Sequence, residues 1–315
     1  MSIISTVVRS GERRVSVTAG DGVELAVREY GARGAGVTVV LVHGHCLRGE
    51  SWTDVRDALV RAHSGAKVVC YDHRGHGESG AGARRSYNLE QLGRDLHDVL
   101  AVVAPTGPVV LVGHSMGGMT VLTYVEQYRH EVGARIVGVG LIATAASGLA
   151  DAGFGRLLRN PLISGFQTAV RWAPRVMQRA KVLSCKVFAP VVRAAEFGDR
   201  QVSARVLTLA AAMHNATSIV TMAGFLSAFK TFDRTTALDV LSTVPTLILC
   251  GSADLMTPPS HSIAMAAAVD YADYVQIEGA GHSVILEQPG EVADAITRLV
   301  DRANRADQSE LALAA

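Results

Sequence analysis

Residues 109–118 read Val-Val-Leu-Val-Gly-His-Ser-Met-Gly-Gly, and this stretch constrains the fold of the chain more than any other. An apolar run of strand character leads into Ser115, and a sequence with good helical propensity, Met116–Arg129, follows it. A strand can pass into a helix over so few residues only through a sharp turn, for which Gly113 and Gly117 leave room. The sequence therefore predicts a nucleophile elbow with the Ser115 hydroxyl exposed at its tip.

Short strand-like runs alternate with helical patterns along most of the 315 residues. Strands that are apolar on both faces and joined by helical crossovers form mostly parallel sheets. We therefore expect an α/β fold with a mostly parallel sheet of about eight strands and helices on both faces. The predicted strands are Arg14–Thr18, Val23–Arg28, Val37–Val42, Lys67–Tyr71, Pro108–Val112, Ile136–Ile142, Thr246–Cys250 and Tyr274–Glu278. The predicted helices are residues 51–63, 89–103, 116–129 and 291–302.

Residues 145–235 interrupt this alternation, because they contain several helical stretches and no convincing strand. A segment of this length is too long for a loop in a compact domain, so it predicts an inserted helical cap or lid. Insertions of this kind tend to lie at the carboxyl ends of strands, which would place the cap over Ser115. The predicted core then comprises residues 1–144 and 236–304, and residues 305–315 form a frayed tail.

The composition excludes several classes of protein. Apolar residues make up 49%, charged residues 19%, and the net charge is +1, which argues against disorder and nucleic-acid binding. We find no uninterrupted apolar run of about 18 residues and no pattern of a secretory signal. The four cysteines show no paired spacing. A cytoplasmic location is the resulting expectation.

A serine hydroxyl is unreactive at neutral pH without a base, and that base needs an acid to orient it. Asp254 follows the apolar run that ends at Gly251, so its carboxylate should emerge at the carboxyl end of a strand. His282 lies in a glycine-rich stretch directly after the last predicted strand. The order Ser, Asp, His along the chain predicts that Ser115, Asp254 and His282 form a catalytic triad.

The motifs of the chain together resemble the α/β-hydrolase fold superfamily, specifically serine hydrolases of esterase or lipase type with a helical cap. The resemblance implies an oxyanion hole formed by the backbone N–H groups of His45 and Met116, which would stabilise a developing negative charge. It also implies that Asp72, Arg74 and Ser79 are structural. The matching motifs are His43-Gly44, Asp72-His-Arg-Gly-His-Gly-Glu-Ser79, Gly113-His-Ser-Met-Gly-Gly118, Gly251-Ser-Ala-Asp254-x-x-Thr257-Pro258 and Gly279-Ala-Gly-His282.

Several potential metal ligands lie in two loops that neighbouring strands would bring together. Their spacing of two or three residues in glycine-rich sequence matches no familiar ligand framework. We therefore predict no metal and no cofactor. The residues concerned are His43, His45, Cys46, Asp72, His73 and His76.

Residue types narrow the reaction without fixing the substrate. Position 115 is Ser, not Asp, and residues 145–235 contain no tyrosine, so dehalogenase and epoxide hydrolase chemistry is disfavoured. We predict hydrolysis of carboxylic esters that carry apolar acyl groups, through an acyl-enzyme. A thioesterase, a carbon–carbon bond hydrolase and a perhydrolase remain alternatives. A hydrolase-like receptor that binds a small ligand without turnover is the alternative from another class.

The predicted cap is strongly basic. Residues 145–235 contain twelve Lys and Arg against four Asp and Glu, a net charge of +8, so that the rest of the chain carries −7. One interpretation is a lid whose apolar faces meet the acyl pocket while its arginines reach into water, and we favour it. The other is peripheral contact with a membrane. The sequence does not indicate an oligomeric state.

Overall fold

The computed structural model describes residues 11–32, 36–198 and 201–314. Its eight strands form one sheet in the order β1-β2-β4-β3-β5-β6-β7-β8. Strand β2 is antiparallel to both of its neighbours, and all other neighbouring strands are parallel. The strands are β1 (Arg13–Thr18), β2 (Glu24–Gly31), β3 (Thr38–Val42), β4 (Lys67–Tyr71), β5 (Val109–His114), β6 (Ile136–Ile142), β7 (Thr246–Gly251) and β8 (Asp273–Ile277).

The helices pack on both faces of this sheet, as the sequence predicts. The α-helices are α1 (Thr53–Ala62), α2 (Leu89–Val103), α3 (Met116–Gln127), α4 (Pro161–Trp172), α5 (Pro174–Glu196), α6 (Ala204–Ala216), α7 (Ile219–Lys230), α8 (Leu238–Leu241), α9 (Pro259–Ala268), α10 (Val284–Glu287) and α11 (Pro289–Ala314). Short 3-10 helices lie at Gly49–Trp52, Arg84–Ser86, Arg129–Glu131, Leu149–Asp151, Gly153–Arg159 and Thr235–Ala237.

The central strands are buried on both faces, which is why their sequences are apolar without alternation. Every residue of β3, β5, β6 and β7 is buried. Successive side chains of one strand enter opposite layers of the core, so that Val40 packs in the layer of α2 and α3, and Val39 packs in the layer of α1 and α11. The predicted α/β fold with a mostly parallel eight-stranded sheet is confirmed.

Helices α4 to α7 form an insertion between β6 and β7, hereafter called the inserted helices. The two ends of the insertion lie together, since Ser147 and Asp233 pair through an isolated antiparallel bridge. The expected helical insertion is therefore present, whereas the division of the chain into a core and a cap stays a prediction. Within the described chain, no single helix is long and apolar enough to cross a membrane, although α6 and α7, bent by 92°, meet that criterion together.

The C-terminal helix is longer than the sequence pattern indicated. Helix α11 starts at Pro289 and continues to Ala314, so the backbone of residues 305–314 is helical where fraying was predicted. Ala, Leu, Gln and Glu dominate this stretch, and all four are strong helix formers, which accounts for the extension. Residue 315 lies outside the described residues.

Candidate active site

Ser115 lies at the turn between β5 and α3, near the middle of the sheet. Its backbone has φ 55° and ψ −120°, a conformation that L residues rarely adopt and that holds the side chain out of the turn. The two flanking glycines are required by close packing. A Cβ at Gly113 would lie 2.4 Å from the carbonyl oxygen of Gly117, and a Cβ at Gly117 would lie 2.2 Å from that of Val42. The local geometry is a sharp strand-to-helix turn, and its role as a nucleophile elbow stays a prediction.

The structure brings Ser115, His282 and Asp254 together at the carboxyl edge of the sheet. The Oγ of Ser115 lies 2.9 Å from Nε2 of His282. The other ring nitrogen of His282, Nδ1, lies 3.0 Å from Oδ2 of Asp254. Asp254 is almost fully buried and His282 is 7% exposed, so water screens these contacts poorly. This arrangement can move a proton from the hydroxyl to the imidazole while the carboxylate holds the ring.

Further hydrogen bonds fix the carboxylate of Asp254. Its Oδ1 accepts from the backbone N–H groups of Met256 and Thr257, at 2.8 and 2.9 Å. Its Oδ2 also accepts from the hydroxyl of Thr257, at 2.7 Å. Sequence reasoning treated Thr257 only as part of a motif at a helix start. In the structure it completes the hydrogen bonds of the carboxylate.

The electrostatics of the pair favour its charged forms. Burial lowers the pKa of His282, but the charge and the hydrogen bond of Asp254 outweigh burial, and the pKa lies above its usual value of 6.5. Burial raises the pKa of Asp254, yet the imidazole of His282 and the donors of Thr257 more than compensate, and the pKa lies below its usual value. The carboxylate of Asp254 is therefore ionised over the whole pH range in which His282 titrates.

Two backbone N–H groups near Ser115 have no acceptor among the described residues. One belongs to Met116, the first residue of α3, and the other to His45, in the loop after β3. The two loops pack closely, since a Cβ added to Gly44 would lie 3.1 Å from Cβ of Ser115. Both residues line the cavity beside Ser115. These are the N–H groups predicted for an oxyanion hole.

Buried histidines hold the loop of His45 in place. The N–H of His73 donates to Nε2 of His43, at 2.9 Å, and Nε2 of His73 lies 3.1 Å from the carbonyl oxygen of His43. The N–H of Cys46 donates to Nε2 of His76, at 3.1 Å. Burial lowers the pKa of His43 to about 4 and that of His76 to about 3, so both rings are neutral at pH 7.

These contacts give the histidines a structural role that sequence reasoning missed when it tested them as metal ligands. No group of three or more potential ligands could hold a metal ion in the part of the chain that the structure describes. Asp72 is likewise structural, because its two oxygens accept from the N–H groups of Gly49 and Glu78. The predicted structural roles of Arg74 and Ser79 fit their contacts with Asp95 and with the Asp72 carbonyl.

An apolar cavity of about 310 Å³ opens beside Ser115 and His282. The core contributes Met119 and Met256, and the inserted helices and the segment before them contribute most of the remaining surface. The volume lies at the low end of the range for small-molecule pockets. Its apolar lining residues include Met119, Leu149, Phe154, Leu158, Val192, Met222, Leu226, Phe229 and Met256.

A second cavity, of about 400 Å³, lies between α5, α6 and α7 and adjoins the first. Val192, Glu196, His214 and Met222 line both cavities. Nε2 of His214 lies 3.0 Å from a carboxylate oxygen of Glu196, so a polar pair stands at the boundary of two otherwise apolar spaces. No sequence pattern had singled out either residue.

A single carboxylate connects the loop of His282 to the inserted helices. One oxygen of Glu287 accepts from the N–H of Gly281, and the other accepts from the N–H of Gly198, both at 3.0 Å. The N–H of Ser283 donates to the carbonyl oxygen of Glu196, at 2.8 Å. Side chains at these glycines would clash, since a Cβ on Gly281 would lie 2.3 Å from the nitrogen of Gly198. We refer to this set of contacts as the Glu287 bridge.

Known proteins resemble this chain over most of its length. The sequence profile of the alpha/beta hydrolase fold family matches residues 37–289. A thermophilic esterase from Thermogutta terrifontis has a similar structure, with a TM-score of 0.73 and 26% identity over 92% of this chain and 99% of that one.

Two sequence relatives differ in how much of the chain they match. A non-heme chloroperoxidase of Kitasatospora aureofaciens is 36% identical over 111 residues, which is 35% of this chain and only 38% of that protein. An sn-1-specific diacylglycerol lipase of Mus musculus is 26% identical over 269 residues, 82% of this chain and 79% of that protein. The profile covers well over half of the sequence and the sheet has the matching fold, so this chain belongs to the alpha/beta hydrolase fold family.

Proposed function

We propose that this protein is a serine hydrolase that cleaves carboxylic esters with apolar acyl groups through an acyl-enzyme. The observation that carries the proposal is the 2.9 Å contact between the Ser115 hydroxyl and His282, at the mouth of an apolar cavity. The similarity to an esterase and to a diacylglycerol lipase supports the same class of reaction. A small-molecule ester is the proposed substrate.

In this mechanism, Nε2 of His282 accepts the proton of Ser115 as Oγ attacks the ester carbonyl. Asp254 accepts a hydrogen bond from Nδ1 and stabilises the imidazolium that forms. The N–H groups of His45 and Met116 stabilise the negatively charged oxygen of the tetrahedral intermediate. His282 then protonates the leaving alcohol, and a water that it deprotonates attacks the acyl-enzyme and releases the acid.

The first prediction tests the nucleophile. Ser115→Ala removes the attacking oxygen, so hydrolysis of p-nitrophenyl esters should fall by on the order of 10⁶-fold, and labelling by a fluorophosphonate should be lost. Thr208→Ala is the matched control, because it also removes one hydroxyl, at an exposed position on α6 that does not line the cavity. Full activity in the Ser115 variant would refute the proposal. A slow single turnover with a ligand-induced rise in melting temperature would instead favour a receptor.

Perhydrolysis is a second candidate, and the similarity to a non-heme chloroperoxidase over about a third of the chain favours it. Hydrogen peroxide would attack the acyl-enzyme in place of water, so that the acyl group leaves as a peracid and His282 takes up the peroxide proton. The assay is peracid formation from an ester and hydrogen peroxide, compared with acid formation from the ester alone. Ester hydrolysis without any peracid would leave the esterase as the activity.

A further inference from the structure

The inserted helices include an exposed surface of unusual composition. Residues 152–195 contain eight Lys and Arg and no Asp or Glu. The same region carries nine of the fifteen large apolar side chains that are exposed in the described residues, and Trp172 and Leu183 are each 82% exposed. The nine are Leu157, Leu162, Trp172, Val176, Val182, Leu183, Val187, Val191 and Val192.

Helix α5 concentrates these features. It has 23 residues and is therefore about 35 Å long. No described side chain of α5 is buried. Its inner face contacts the neighbouring helices, since Gln178 accepts from the N–H of Ile219 and Lys181 donates to the carbonyl of His214.

The outer face of α5 divides into an apolar and a basic stripe. At about 100° per residue, four apolar residues fall within about 80° of the helix circumference, and three arginines fall within about 40° beside them. Trp172, at the end of α4, lies just before this helix. The apolar stripe consists of Val176, Leu183, Val187 and Val191, and the basic stripe of Arg175, Arg179 and Arg193.

The arginines of this face are not neutralised by the protein. No acidic group lies within ion-pair distance of Arg175, Arg179 or Arg193 in the part of the chain that the structure describes, and all three are exposed. A second copy of the chain would bring the same positive charge against this face, and a nucleic acid would leave the apolar stripe in water. A surface with anionic head groups above an apolar layer complements both stripes.

We propose that the outer face of α5, together with Trp172, is a docking surface for anionic phospholipid membranes. The apolar stripe and Trp172 enter the boundary between head groups and acyl chains, and the arginines bind lipid phosphates. Val192, on the opposite side of the same helix, lines the cavity beside Ser115, so docking places that cavity about one helix diameter from the lipid surface. This docking does not depend on the proposed hydrolysis.

The two tryptophans make the docking measurable without a label. Trp52 is fully buried and Trp172 is 82% exposed, so changes in quenching by acrylamide report on Trp172. The protein used is the full chain with Ser115→Ala, so that lipid turnover cannot alter the vesicles. We expect a blue shift of emission, protection from acrylamide and co-sedimentation with vesicles of phosphatidylcholine and phosphatidylglycerol in equal amounts. Vesicles of phosphatidylcholine alone should bind much more weakly, and high salt should weaken the anionic binding.

Substitutions on the two stripes separate their contributions. The triple variant Arg175→Gln, Arg179→Gln, Arg193→Gln should lower the partition coefficient on anionic vesicles about 100-fold, about fivefold for each arginine. Leu183→Ser should weaken binding about tenfold. The matched control, Arg61→Gln, Arg298→Gln, Arg302→Gln, removes the same charge from α1 and α11 and should change binding less than threefold.

Several results would overturn the docking surface. These are the absence of vesicle binding, binding that the triple variant and Leu183→Ser leave unchanged, and a concentration-dependent dimer that protects Trp172 without lipid. Hydrolysis of a water-soluble p-nitrophenyl ester by the protein with Ser115 intact is measured separately. Loss of docking and loss of the proposed enzyme activity are thereby distinguished.

Discussion

In the proposed mechanism, His282 decides when Ser115 can react, because only the neutral imidazole can accept the hydroxyl proton. Asp254 raises the pKa of His282 above 6.5 and so shifts the start of activity to higher pH. The same carboxylate fixes the tautomer in which Nδ1 carries the proton and Nε2 faces Oγ. The gain in basicity and the loss of activity at acidic pH therefore have one cause.

We expect kcat/KM for a soluble ester to fall as the pH drops through the pKa of His282, with its midpoint above 6.5. Asp254→Asn removes the negative charge, so the midpoint should move to lower pH and the plateau should fall by on the order of 10⁴-fold. Asp239→Asn is the control, since this exposed aspartate on α8 lies outside the site. A midpoint that Asp254→Asn leaves in place would contradict the assigned role of the carboxylate.

At the scale of single elements, imidazole nitrogens contribute several of the hydrogen bonds that hold the loops after β3 and β4. Each of His43, His73 and His76 bonds to backbone of these two loops. These bonds require neutral rings at two of the positions, since Nε2 of His43 and Nε2 of His76 each accept a hydrogen bond. The loop that presents the N–H of His45 is therefore sensitive to acid.

The stability of the fold should fall as the pH decreases below 6.5. The pKa of His43, His76 and His114 lies at about 4, 3 and 3, so the unfolded chain takes up protons that the folded chain does not. Each histidine then costs about 1.4 kcal/mol of unfolding free energy for each pH unit between 6.5 and its pKa in the folded chain, and nothing more below that pKa. Urea unfolding at a series of pH values measures how the unfolding free energy depends on pH.

A variant and its control isolate the buried rings in that experiment. His76→Gln keeps one donor and one acceptor but removes a titrating group. The slope of the unfolding free energy against pH should therefore decrease by the amount that corresponds to about one proton. His130→Gln removes an exposed histidine and should leave the slope unchanged. Equal slopes in both variants would argue against the buried rings as its origin.

The Glu287 bridge couples two elements that are distant in sequence. Glu287→Gln replaces one accepting oxygen by an NH₂ group, which leaves one buried N–H unpaired at a cost of about 1–3 kcal/mol. Because the loop of His282 loses a contact, we expect kcat to fall about tenfold with little change in KM. The control is Glu278→Gln, at an exposed position near the same loop. If a folded Glu287 variant has an unchanged kcat, the Glu287 bridge contributes to the stability of the fold but not to the reaction.

Across the whole molecule, the site is assembled from two sources. The sheet supplies Ser115, Asp254 and His282 after β5, β7 and β8, and the inserted helices together with the segment before them supply most of the apolar wall of the cavity. In the proposed mechanism, residues at the strand ends therefore carry out the reaction, whereas side chains such as Leu226 and Met222 limit which acyl groups fit.

Filling the cavity should restrict the protein to esters with shorter acyl groups. Leu226→Trp occupies space beside Ser115, so kcat/KM for p-nitrophenyl octanoate should decrease about tenfold or more, while that for the acetate changes little. Leu226→Met has a similar volume to the native residue and serves as the control. An equal loss for both esters in the tryptophan variant would indicate a distorted site instead.

The sequence predicts the sheet and the three polar residues because both depend on local patterns. Apolar runs identify most of the strands, and Ser115, Asp254 and His282 lie one, three and five residues after the ends of β5, β7 and β8. Glu287 and Gly198 could not be paired in advance, since 89 residues separate them and no periodicity links their side chains. The histidines were visible as a cluster, but which nitrogen accepts and which donates depends on loop geometry that no spacing reveals.

The Glu287 bridge also sets a condition on how molecules enter and leave. If the end of α5 swings away from the sheet, the carboxylate either releases Gly198 or pulls the loop of the general base along with it. In the second case, opening the cavity moves His282 away from Ser115. The proposed proton transfer can then occur only after the cavity has closed again. Under the proposed function, an ester that can still leave the open cavity would then meet Ser115 without its proton acceptor, and only enclosed molecules would be cleaved.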